Sequence, residues 1–137
     1  MRAVLDPNVI VSALISPGRS PARLLHHWIT GGYELVVSPM LLSDLSRTLS
    51  HPTVRERLSE AECEDLLEVI GRQAQVEDDT IGPAIDGSDD PGDDYLIALA
   101  ATSGSLIVTG DQHLLELRAR LPVMSPADFL LEVESRS

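Results

Sequence analysis

Several aspartates in this chain fall where backbone geometry can gather them. Asp6 ends the apolar run "RAVLD", and Asp111 closes "LIVTGD". Each therefore sits just past the C-terminal end of a stretch that reads as a buried strand. Asp94 opens the apolar segment that precedes the second of these runs, and Asp44 lies one turn into the segment that follows "ELVVS". Ligands of open α/β sheets bind beyond the C-terminal ends of the strands. Four acids from distant points in the chain can thus meet on one rim. Converging carboxylates raise one another's pKa unless a cation relieves them, and oxygen-only ligation selects Mg2+ or Mn2+ over zinc. Such ions act on phosphates: two-metal sites polarise the phosphorus–oxygen bond and generate hydroxide for in-line attack.

Each acid also has a plainer role open to it. Asp6 in "DPN" suits an Asx turn, Asp44 a solvated helix face, Asp93 and Asp94 a helix cap, and Asp111 the N-cap of the next helix. Taken singly, these roles suffice. They leave unexplained why strand ends and helix starts on one edge should all carry aspartate. The stretch "DGSDDPGDDYLIALA" (86–100) concentrates this charge most, and reads as a mixture of caps, solvating charge and one ligand.

The elements that must position these residues can be read in order. "RAVLD" (2–6) is a strand and "NVIVSALIS" (8–16) a helix after the turn-like "DPN". "SPARLLHHWITGG" (20–32) has a serine cap, proline at the first helical position and terminal glycines. "YELVVS" (33–38) is a strand. "SPMLLSDLSRTLSHP" (38–52) is a helix with Leu41, Leu42, Leu45 and Leu49 on one face. In "LSEAECEDLLEVIGRQAQV" (58–76), Ser59 and Glu62 form a capping box, with Cys63, Leu66, Leu67, Ile70 and Ala74 pointing inward. Residues 77–88 read as a loop holding a short strand. "DDYLIALAATSG" (93–104) is a buried helix, "SLIVTGD" (105–111) a strand, and "QHLLELRARL" (112–121) a helix. "PVMS" (122–125) is a last strand and "SPADFLLEVES" (125–135) a closing helix. Strands alternating with helices predict an α/β fold: one domain over residues 1–137, a central parallel sheet with helices on both faces.

Composition bounds the partners. The 137 residues carry a net charge of −12, and ten arginines supply all the Lys+Arg total. Such acidity argues against holding nucleic acid by counterion release alone, though not against a site where metal ions supply the positive charge. A single cysteine, Cys63, excludes an internal disulfide and fits a reducing cytosol. The opening "MRAVLDPNVIV" makes a poor signal peptide, and no apolar run approaches a membrane span. A soluble cytoplasmic protein is expected.

"LDPNVIVSAL", "ELVVSPMLLSDLSRTL", "DDPGDDYLIALA" and "LIVTGD", in this order and spacing, resemble a PIN domain. The likeness is closest to the PIN toxins of bacterial toxin–antitoxin systems, and it covers essentially the whole chain. It implies a Mg2+- or Mn2+-dependent ribonuclease leaving a 5′-phosphate and a 3′-hydroxyl. Carried over by position, the acids are Asp6, Asp44, Asp94 and Asp111, as metal ligands and catalytic residues. Asn8 is a hydrogen-bonding companion, Thr109 orients a water or carboxylate, and Asp90 and Asp93 help through water. RNA contact beyond the metals falls to arginines, chiefly Arg19, Arg23 and Arg47, with Arg55 and Arg57 near them. The family also implies a small antitoxin that blocks the acidic rim, and a homodimer. Two departures stand out: Pro7 where Thr or Ser is usual, and Asp44 where glutamate is usual, one methylene shorter and suited to reach a metal only through water.

A receiver-like phosphoacceptor domain would also gather aspartates at a sheet edge, but it would place a lysine near the last strand. An aspartyl phosphatase would place D-x-D where this chain has "DPN". The remaining rival is a PIN fold that has lost activity and binds RNA or protein without cutting.

Overall fold

The computed structural model describes residues 1–79 and 94–136. Its five strands are β1 (Arg2–Leu5), β2 (Glu34–Val37), β3 (Gln75–Val76), β4 (Leu106–Val108) and β5 (Val123–Met124). They form one all-parallel sheet in the order β3-β2-β1-β4-β5. The chain lays strands outward from β1 in one direction, then returns to its other side with β4. The C-terminal ends of β1 and β4 therefore flank the point where strand order reverses, where α/β sheets open a crevice.

The described helices are α1 (Pro7–Ile15), α2 (Ser20–Ile29), α3 (Pro39–Leu49), α4 (Pro52–Arg55), α5 (Glu60–Gln73), α6 (Asp94–Ser103), α7 (Gln112–Leu115) and α8 (Pro126–Ser135). They cover both faces of the sheet, as expected of an α/β fold. The core is aliphatic. The strands contribute Val4, Leu5, Leu35, Val36, Ile107 and Val108, and Leu41, Leu45 and Leu49 of α3 join the same buried cluster from one helical stripe. Each such side chain contributes about 1.5–3 kcal/mol on burial. α6 packs against β1 and β4 through Leu96, Ile97, Leu99 and Ala100. Gly104, at φ 66°, turns the chain from α6 into β4, a conformation other residues adopt with strain.

Four local expectations change. Residues 75–76 are strand β3 rather than the end of a helix, because their backbone pairs with Val36 and Val37 of β2. The helix after β4 stops at Leu115, and residues 117–120 continue as tighter turns bonded three residues back. Pro52 starts a separate short helix, α4, whose Thr53 N–H donates to His51 Nδ1. At α2 the N-cap position is Arg19, without a side-chain cap, so Ser20 does not cap it. The Ser59–Glu62 capping box is present as expected, and Cys63 is buried. No described helix is long and apolar enough to cross a membrane.

Candidate active site

Asp6 follows β1 directly and becomes the N-cap of α1. Its backbone N–H donates to the Val108 carbonyl at 2.9 Å, which joins the ends of β1 and β4. The residue is only 7% exposed. Its Oδ1 accepts from the Asn8 backbone N–H at 3.0 Å, and its Oδ2 accepts from the Thr109 hydroxyl at 2.8 Å. Pro7 suits this geometry. It occupies the first helical position, where no N–H takes part in the helix ladder.

Thr109 is fully buried just past β4. Its Oγ1 also accepts from the Asp111 backbone N–H at 3.0 Å, so one hydroxyl links the first and last acids. Asp111 caps α7, with Oδ1 accepting from the His113 N–H at 2.9 Å. The cap and Asx-turn roles open to Asp6 and Asp111 are thus real.

Asp6 and Asp111 receive hydrogen bonds from neutral groups alone, and neither forms an ion pair among the described residues. Neutral donors orient a carboxylate without cancelling its charge, and each oxygen keeps a second lone pair for another partner. All-oxygen donors of this kind fit Mg2+ or Mn2+. Among the described residues, no three His, Cys, Asp or Glu side chains form a metal-holding group by themselves. Asp90 and Asp93 lie outside the described residues. The backbone of Asp94 heads α6, while its side chain also lies outside them.

Asp44 is placed differently. Its Oδ2 accepts from the Tyr95 hydroxyl of α6 at 2.7 Å, and its Oδ1 pairs with the Arg47 guanidinium one turn along α3. Arg47 is therefore engaged on the protein, and Arg23 likewise pairs with Glu134 of α8. Arg19 is exposed, without an ion pair among the described residues. The Asn8 residue is exposed, and its contact with Asp6 is through its backbone.

Two residues went unmarked in the sequence. Tyr95 was read as part of an apolar helix, though a hydroxyl beside Asp94 was a signal. Asp79, three residues past β3, accepts from the Met40 N–H at the start of α3 at 2.8 Å, and its buried Oδ1 has no hydrogen-bond partner among the described residues. The trailing acids "EDD" were the only local hint of it.

A family model described as a PIN domain matches residues 2–113. The uncharacterized protein MJ1680 of Methanocaldococcus jannaschii is 27% identical over 146 residues, covering 98% of this chain and 92% of that one. The structure of PAE2754 from Pyrobaculum aerophilum superposes with a TM-score of 0.68 at 16% identity, covering 98% of this chain and 95% of that one. VapBC2 from Rickettsia felis, solved bound to a DNA fragment from its promoter, gives 0.62 at 14% identity, covering 91% and 98%. At such identities the structural likeness speaks for the fold.

Proposed function

The chain belongs to the PIN-domain family, and on that premise we propose that it is a Mg2+- or Mn2+-dependent endoribonuclease, the toxin of a toxin–antitoxin pair. The observation that carries this reading is the hydrogen-bonded chain from the Asp6 carboxylate through Thr109 to the Asp111 backbone at the reversal of strand order, with no ion pair at either acid among the described residues. Asp6, Asp94 and Asp111 hold the cations, and Asp44, one methylene shorter than the usual glutamate, supports the site without touching them. Bound Mg2+ or Mn2+ supplies positive charge to a phosphodiester and lowers the pKa of a water. The protein's own work is orientation. Thr109 fixes the Asp6 carboxylate and the Asp111 backbone together, Asn8 fixes the other Asp6 oxygen, and Asp90 and Asp93 support through water. Arg19 takes an RNA phosphate directly, and Arg23 and Arg47 do so by exchanging a carboxylate for a phosphate in the same planar fork. An antitoxin blocks the rim, which the likeness to VapBC2 supports. The active form is a cytoplasmic homodimer.

RNA cleavage with Mg2+ or Mn2+ tests the reading, with Asp6→Asn and Asp94→Asn beside the wild type. Loss in both variants supports it; cleavage at the wild-type rate by both overturns it. The Asp44–Arg47 pair favours a second reading, a PIN fold that binds RNA or protein without cutting. No heat on Mn2+ titration and no cleavage of any RNA would establish that reading instead.

A further inference from the structure

We infer that Asp44 and Tyr95 are positioning residues, whose hydrogen bond docks α3 against the first turn of α6 and so sets the place of Asp94. The inference rests on the reading of Asp94 as a cation ligand. It starts from the two oxygens of Asp44. Oδ2 carries the Tyr95 hydroxyl at 2.7 Å and Oδ1 the Arg47 guanidinium. A cation approaching Asp44 directly meets the Arg47 charge already paired with it, whereas Asp6 and Asp111 form no ion pair among the described residues.

Tyr95 supplies the other half of the argument. It is half-buried and directly follows Asp94, the first residue of α6. The body of α6 is fixed against β1 and β4 by Leu96, Ile97, Leu99 and Ala100. Its first turn is tied by the Tyr95 hydroxyl to a carboxylate 51 positions earlier in the chain. Outer partners of this kind orient a ligand without touching the metal, and their loss weakens metal affinity.

Calorimetric Mn2+ titration of the full chain separates the two roles for Asp44. Tyr95→Phe and Asp44→Ala should each weaken Mn2+ binding about tenfold, the range for lost outer partners. The double variant should lose no more than either single one, because both remove the same bond. Asp44→Asn, whose amide oxygen still accepts from the phenol, should stay within about threefold of wild-type affinity, the effect of altering one modest hydrogen bond. Asp44→Asn as damaging as Asp44→Ala, with Tyr95→Phe at wild-type affinity, overturns the inference and makes Asp44 a direct ligand. If Asp44→Ala does not fold, the comparison of Tyr95→Phe with Asp44→Asn still decides. Wild-type protein that binds no Mn2+ overturns this inference together with the proposed function. Wild-type binding with an unaffected Tyr95→Phe overturns this inference alone.

Discussion

Asp6 and Asp44 are two acids of one fold whose charge is treated in opposite ways. Asp6 is 7% exposed, yet among the described residues its oxygens meet only a backbone N–H and a threonine hydroxyl. Asp44, with 29% of its side chain exposed, faces an arginine and a phenol. Burying a carboxylate with no cationic partner is costly unless something else balances it. The more buried acid is the one without a cationic side chain among the described residues; what faces it is the N-terminus of α1 and a hydroxyl. The two acids thus differ in whether a cationic side chain of the protein stands beside them, and the proposed roles, cation ligand for Asp6 and helix docking for Asp44, rest on that difference.

The largest effect that can break this contrast is at Asp6. Asp6→Asn keeps an oxygen for the helix cap but removes the charge, so cleavage should fall by more than about a hundredfold, beyond what outer partners contribute. A folded Asp6→Asn protein that still cuts RNA at the wild-type rate would sink the contrast at its root. Next in size is Thr109→Val. It strips a donor from Asp6 and an acceptor from the Asp111 N–H inside a buried site, and should cost about 1–3 kcal/mol of stability in urea unfolding. Cleavage should fall at least about tenfold with it; unchanged values for both would mean that the hydroxyl is not the link between the two acids.

Arg47→Ala sharpens the other side. Arg47 is 78% exposed, so its removal should change stability by less than about 1 kcal/mol. Mn2+ affinity should rise, because an opposing charge has gone; a fall would show that Arg47 supports the site. The smallest expected effect lies away from the rim, where Glu134 of α8 meets His27 and Arg23 of α2. The hydrogen bond from His27, followed by the Arg23 charge, holds the Glu134 carboxyl below its usual range. A depressed pKa gives stability that is present above the unfolded value and is lost as pH falls through the folded one. The melting temperatures of wild type and Glu134→Gln should therefore differ near neutrality and converge well below 4.5, the unperturbed value. A gap that widens in acid contradicts this linkage.

Much of the rim was legible because strands announce their own ends. "RAVLD" and "LIVTGD" are short apolar runs stopped by an acid, and parallel topology then puts those stops on one edge. Thr109 was legible by its place two before Asp111. Residues 75–76 were hidden because "RQAQV" extends the helical pattern of α5, and only pairing with β2 makes them strand. The α7 boundary was hidden for a similar reason: "LRARL" keeps helical spacing, while the chain must turn to deliver Pro122 and β5. The Asp44–Tyr95 and Asp79–Met40 bonds span 51 and 39 positions, and no local periodicity encodes contacts of that range.

Asp6 and Thr109 touch across 103 positions. During synthesis Asp6 is made well before the residue that orients it, and it lacks that partner until the chain has passed β4. No fragment ending before residue 109 contains the assembled pair, so the carboxylate is held in place only once both halves of the sheet are available.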